Sequence, residues 1–259
     1  MKTVLPQEKS SILGTLGAIL KVLEVSIQTL WDANRGRLTP EVVNARARHL
    51  GEHVLALARA QVTVEGADRL DPDQTYLFMS NHESLMDIPL IFATAPRAPR
   101  MVAKAELFKV PIWGPALKVA GFIPVDRKNR TQAFASLKEG GAQMGQGVDV
   151  WIAPEGTRSR DGSLLPFKKG GFMLALQTNA KIVPVGIVGA RNIIRPKSFK
   201  AYLDQQVTIR YGTPIDASEY GPERRDALMA DVRQAIERLR QPEGNPTLNG
   251  APIEGGARP

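Results

Sequence analysis

The residues best suited to chemistry lie in one short run, Ser80-Asn81-His82-Glu83-Ser84-Leu85-Met86-Asp87. It follows Tyr76-Leu77-Phe78-Met79, an apolar and aromatic run that reads as a strand, and it leads into a helical pattern through Leu85, Ile88, Leu90 and Ile91. Histidine is the side chain whose ordinary pKa lies near neutrality, so His82 can take up and return a proton at physiological pH. Asp87 stands five residues on, across a sharp loop-to-helix turn, where it can fold back to accept the imidazole Nδ1–H. That hydrogen bond leaves Nε2 free as a base and stabilises the imidazolium once it forms. A strand end is also where α/β proteins place their ligands. Two other roles compete for these residues. Ser84 could act as the nucleophile of a Ser-His-Asp set, although on so tight a loop it, or Asn81, is better suited to capping the helix. Asp87 in a first helical turn is favoured by the helix dipole with no chemistry at all.

Further along the chain stand groups able to hold an anion. Ala153-Pro154-Glu155-Gly156-Thr157-Arg158-Ser159 follows the strand-like run Val148-Asp149-Val150-Trp151-Ile152. Arg158 offers a planar fork to a phosphate, the Gly156-Thr157 loop adds backbone and hydroxyl donors, and Glu155 can hold the arginine or a substrate hydroxyl. Arg127, in Gly121-Phe122-Ile123-Pro124-Val125-Asp126-Arg127, and Lys104, in Ala103-Lys104-Ala105-Glu106-Leu107, are two more cations at strand ends. Any one of them alone reads equally well as a solvated surface charge. Several at strand ends around one histidine read as an anion site. Phe167-Lys168-Lys169-Gly170-Gly171-Phe172 is a candidate rim for that site or a face toward anionic lipid.

The order His-x4-Asp, Gly-x-Ile-x-x-Asp-Arg, Glu-Gly-Thr-Arg-Ser, then Val183-Pro184-Val185 resembles the glycerophospholipid acyltransferases, above all the bacterial 1-acyl-sn-glycerol-3-phosphate acyltransferase branch. The likeness covers roughly residues 62–215, with all four blocks in sequence. The resemblance implies transfer of a fatty acyl group from acyl-CoA or acyl-carrier protein, the co-substrates, to the sn-2 hydroxyl of lysophosphatidic acid, giving phosphatidic acid. It implies His82 and Asp87 as the catalytic pair, and Arg127 with the Glu155-Gly156-Thr157-Arg158 block as acceptor-phosphate ligands. Lys104 also fits the family pattern, and neither cofactor nor metal is expected. Direct attack by the alcohol needs a base and a proton for the departing thiolate, and no covalent acyl-enzyme. A hydrolase would need a Gly-x-Ser-x-Gly elbow, which the chain lacks. The remaining alternatives are the same chemistry on another lysolipid and a basic lipid-binding module without catalysis.

These residues need a scaffold of strand ends. From residue 61, short strand patterns (62–65, 76–79, 101–103, 122–125, 148–152, 182–188 and 207–211) alternate with helical ones (85–93, 115–120, 131–144 and 171–178), and an amphipathic helix over 223–240 closes the series. This predicts an α/β layered domain with a mixed central sheet flanked by helices, preceded by an N-terminal two-helix hairpin. The expected divisions are 1–60 for the hairpin and its membrane association, 61–240 for the catalytic domain, and 241–259 for a flexible tail rich in Pro, Gly and Asn.

Within the hairpin, 10–31 is apolar but carries Lys21 and Glu24. Each central charge costs about 2.5–3.5 kcal/mol of insertion against about 0.3–0.6 returned per Leu or Ile, so a helix in the interface is favoured over a full span. Thr39-Pro40 opens the second helix as N-cap and first residue. His49 and His53 on that helix have a metalloprotease-like spacing, but no third ligand stands out and a polar helix face is expected.

The formal net charge of +8 calls for anionic partners: membrane lipids, acidic carrier proteins or phosphorylated substrates. Nucleic acid is not expected, because no aromatic set lines a basic strand face. The absence of cysteine excludes thiol catalysis and disulfides. No removable signal peptide is read at the N-terminus. The expected location is the cytoplasmic face of the inner membrane, as the resemblance implies.

Overall fold

A computed structural model describes residues 9–126, 130–195 and 200–241, without the side chains of 130–135. The strands are β1 (Ser10–Ser11), β2 (Gln61–Glu65), β3 (Tyr76–Ser80), β4 (Arg100–Lys104), β5 (Ile123–Val125), β6 (Val150–Ile152), β7 (Lys181–Val188), β8 (Ala201–Tyr202), β9 (Gln206–Tyr211) and β10 (Ile215–Asp216). The helices are α1 (Ile12–Asn34), α2 (Pro40–Leu57), α3 (Asp87–Thr94), α4 (Trp113–Val119), α5 (Arg130–Met144), α6 (Gly170–Thr178), α7 (Ala190–Ile193) and α8 (Arg225–Leu239). The main sheet runs β2-β9-β7-β3-β6-β4-β5, with β10 added antiparallel to β7. Pairs β3–β7, β3–β6, β4–β6 and β4–β5 are parallel, while β7–β9 is antiparallel, so the sheet is mixed as expected.

Strands β7, β3, β6, β4 and β5 point the same way, so the segments after their C-terminal ends emerge along one edge of the sheet.

The period-two alternation of each strand divides the interior into two cores. Phe78, Trp151, Val183, Val185 and Ile209 pack with Leu90 and Phe92 of α3 and with Val43, Ala47 and Leu55 of α2. Leu77, Met79, Val150 and Ile182 turn the other way, toward Phe172 and Leu174 of α6 and Leu228, Val232 and Ile236 of α8. All five residues of β3 are buried, as a central strand covered on both faces requires.

The N-terminal helices form where their caps are written. Ser11 Oγ accepts the Gly14 amide at 2.8 Å to start α1, and Thr39 caps α2 ahead of Pro40. The two lie antiparallel, since Arg46 pairs with Asp32 near their connection and Gly17 meets Leu57 at the far ends. Helix α2 then crosses α3 so closely at Gly51 that a Cβ there would stand 2.6 Å from the Pro89 carbonyl oxygen. The central glycine of His49-Leu50-Gly51-Glu52-His53 is thus a helix-crossing residue, and among the described residues no three His, Asp or Glu side chains are grouped to hold a metal. Leu13, Leu16, Ile19, Leu20, Leu23, Ile27 and Trp31 of α1 are exposed, Leu13 at 79%. By length and composition this helix is able to cross a membrane.

Candidate active site

His82 lies two residues beyond β3, at the edge where the parallel strands end. Asn81 sets its position, because the side-chain amide takes over from the ladder as β3 stops. Its Nδ2 donates to the Ile187 carbonyl and its Oδ1 accepts the Ile187 amide, both at 2.8 Å. The His82 amide then donates to Glu155 Oε1 at 2.7 Å, and the His82 carbonyl accepts the Ser159 amide at 2.8 Å. Both backbone polar groups of the histidine are therefore fixed by the loop after β6.

The ring itself is held by Asp87. His82 Nδ1 is 2.7 Å from Asp87 Oδ2, and that oxygen also accepts the amides of Glu83 at 2.8 Å and Ser84 at 3.0 Å. Asp87 is fully buried, and its other oxygen has no hydrogen-bond partner among the described residues. A carboxylate so placed fixes the tautomer with the proton on Nδ1 and directs Nε2 away from the pair. Trp151, whose indole N–H donates to Ser80 Oγ at 3.0 Å, meets the imidazole edge to face, with centroids 6.3 Å apart.

Here the local structure departs from the sequence reading. The pattern predicts a helix from Leu85 capped by Ser84 or Asn81, but α3 begins at Asp87. The reason is Asp87 itself, whose carboxylate draws in the amides of 83 and 84 and holds the segment in a loop. The Ser84 hydroxyl is turned to this loop, accepting the Met86 amide at 3.2 Å, with the Ile194 carbonyl 3.4 Å away. Asn81 is committed to β7.

Glu155 is nearly fully buried and its two oxygens go to backbone amides, of His82 on one side and of Leu165, at 2.8 Å, on the other. Burial raises its pKa, and the two amides oppose that rise. In this arrangement it braces two loops. Gly156 follows in a left-handed turn with φ of 70°, and Thr157 and Arg158 are exposed. Arg158 makes no ion pair among the described residues. Since the Ser159 amide is bonded to the His82 carbonyl, Arg158 is tethered one residue from the histidine backbone.

Lys104 closes β4, two strands and about 10 Å across the sheet from β3. It is exposed and paired with Glu106 at 3.2 Å. Arg127 lies outside the described residues, just past Asp126 at the end of β5, and the tail over 242–259 is outside them as well.

Two groups at this edge had no signal in the sequence. Glu83 is buried within the loop between β3 and α3 with its Oε1 3.3 Å from the Arg191 amide, and burial, reinforced by the Asp87 charge, pushes its pKa up to about 6. An apolar cavity of about 470 Å³ opens between α1, α2, α3 and α4, and Leu85 and Met86 of the loop between β3 and α3 line it. Its walls come from helices far apart in sequence, so no single stretch announces it.

The fold thus brings a His-Asp pair and exposed cations to one edge of a mixed α/β sheet. Residues 61–188 match the family model described as Acyltransferase, and this segment belongs to that family. It is 33% identical over 185 residues to human 1-acyl-sn-glycerol-3-phosphate acyltransferase alpha, a match covering 71% of this chain and 65% of the relative. It is 35% identical over 164 residues to the coconut (Cocos nucifera) 1-acyl-sn-glycerol-3-phosphate acyltransferase, covering 63% of this chain and 52% of that one. The chain thus spans just under two thirds, or less, of the length of these relatives. In fold it is similar to the crystal structure of the 1-acyl-sn-glycerophosphate (LPA) acyltransferase PlsC from Thermotoga maritima, with a TM-score of 0.73 at 24% identity, covering 90% of this chain and 97% of that one.

Proposed function

We propose that this protein transfers a fatty acyl group from a thioester donor, acyl-CoA or acyl-carrier protein, to the sn-2 hydroxyl of lysophosphatidic acid, forming phosphatidic acid. The observation that carries the proposal is the 2.7 Å contact between His82 Nδ1 and the buried Asp87 carboxylate. Nε2 of His82 takes the proton of the acceptor hydroxyl as its oxygen attacks the thioester carbonyl. The tetrahedral intermediate then collapses with cleavage of the C–S bond, and the imidazolium returns the proton to the departing thiolate. No acyl-enzyme is required, and the Ser84 hydroxyl, engaged with the Met86 amide, is poorly placed to form one.

The acceptor phosphate is assigned to Arg158, with Gly156 and Thr157 beside it and Lys104 as a further cation along the same edge; Arg127 is a further candidate on its sequence motif alone. Glu155 supports this group by bracing the loop from behind. The acyl chain is assigned to the apolar cavity beside Leu85 and Met86, whose volume is in the range of ordinary ligand pockets. The exposed apolar face of α1 is assigned to the membrane, at the cytoplasmic face of the inner membrane, with anionic lipids as surface partners. The test is product analysis on detergent-purified full-length protein, pairing each donor with lysophosphatidic acid, a choline-headed lysolipid and a monoacylglycerol. Phosphatidic acid as the main product supports the proposal, and transfer only to the other acceptors overturns the phosphate assignment.

A further inference from the structure

The loop after Arg158, residues 159–165, contains neither helix nor strand, so its carbonyls have no ladder to join and each needs a donor. Three arginines from outside the loop supply donors to five of its seven carbonyls. Arg191, at the start of α7, reaches the carbonyl of Asp161 and, at 3.1 Å, that of Arg160. Arg240, at the end of α8, reaches the carbonyl of Gly162. Arg233, from the middle of α8, forks onto Leu165 at 2.8 Å and Leu164 at 2.9 Å. Arg233 is itself steadied by Glu237 at 3.0 Å and by the Phe167 ring. The two ends of the loop are tied to the catalytic histidine: the Ser159 amide to its carbonyl, and the Leu165 amide to Glu155, which also takes the histidine amide.

We infer that Arg191, Arg233 and Arg240 are positioning residues that hold the Arg158 loop, and with it the acceptor's phosphate, at a fixed distance from His82. The inference rests on the reading of Arg158 as the acceptor-phosphate ligand. The planar fork matters at Arg191 and Arg233, each of which reaches two neighbouring carbonyls, while Arg240 reaches one. A guanidinium can engage two neighbouring carbonyls at once, whereas a lysine ammonium supplies the same charge without that geometry. The closing helix, some seventy residues beyond the loop, thereby sets substrate binding without touching substrate.

The test uses the full chain with Arg233→Lys and Arg240→Lys combined, and separately Arg191→Lys, which lies on a different element. We expect the KM for lysophosphatidic acid to rise about tenfold while the thioester KM moves less than about twofold, because a displaced phosphate ligand affects one substrate only. In an Arg158→Ala background the same changes should add nothing further, since they act through that residue. Amide exchange should quicken over 159–165 and stay slow in α8 itself. Unchanged exchange in that loop overturns the inference, as does an equal rise in both KM values or full additivity with Arg158→Ala. If Arg158→Ala alone leaves the lysophosphatidic acid KM unchanged, the phosphate assignment fails, and the inference fails with it.

Discussion

The two halves of the site are built in opposite ways. Around His82 the protein is buried and densely hydrogen-bonded: Asn81 is clasped to β7, Asp87 is fully enclosed, and both backbone groups of the histidine are engaged. Around Arg158 the side chains face solvent, and rigidity comes from behind, through Glu155 and the arginines of α7 and α8. The difference fits what the proposed function asks of each half. A base needs one tautomer and one direction, which burial and hydrogen bonds impose. A phosphate ligand needs an unspent charge, which exposure preserves, on a backbone that does not wander.

The largest effects should come from breaking the buried half. His82→Ala removes the base, and acyl transfer should fall by about 10²–10⁴-fold with little change in either KM. Asp87→Asn keeps the shape, and the Glu83 and Ser84 amides hold its amide oxygen toward the ring, but the negative charge that stabilises the imidazolium is lost. A loss of about 10²–10⁴-fold in kcat is expected, measured under saturating substrates. If Asp87→Asn retained near-normal turnover, the carboxylate would be only a loop brace.

The exposed half should respond in KM. Arg158→Ala should raise the lysophosphatidic acid KM by about tenfold or more, with thioester KM nearly unchanged, as loss of a charge-assisted phosphate contact implies. An equal fall in kcat instead would mean that this loop acts on the transition state and the contrast between the halves would collapse.

The smallest effect concerns Glu83, which sharpens the comparison from the stability side. Burial raises its folded pKa from 4.5 to about 6, so the folded state holds a proton that the unfolded chain has lost. Stability from this group is therefore present below pH 4.5, falls as pH rises toward 6, and above that the ionised carboxylate costs about 2 kcal/mol. Glu83→Gln can still accept the Arg191 amide and removes the cost. Thermal unfolding should show the variant stabilised at pH 7.5 and close to wild type at pH 4.5. Equal Tm shifts at both values would show that desolvation of the charge is not the cause.

Much of the buried half was legible in the sequence because its parts are neighbours. His82, Asp87 and the strand before them sit within a dozen residues, and the alternating pattern from residue 61 fixed the α/β class. Helix α3 starts two residues later than the pattern predicts because the Asp87 carboxylate, not a Ser84 cap, governs the turn. The exposed half was legible only as a set of cations. What steadies it depends on the strand order, with β6 beside β3 and β7 on the other side, and short motifs do not encode such pairings. Glu155 looked like a substrate ligand because a carboxylate beside an arginine suggests one. Its two backbone partners, 73 and 10 residues away, appear only once the loops are folded together. Arg191, Arg233 and Arg240 belong to no motif, and the cavity beside Leu85 is assembled from four helices.

The most direct measurement follows thiol release and lipid product together, with a long-chain acyl-CoA and lysophosphatidic acid, for wild type beside His82→Ala. The account predicts equal amounts of free thiol and phosphatidic acid from the wild type, and loss of both in the variant. Thiol released without phosphatidic acid, or transfer persisting in His82→Ala, would contradict it.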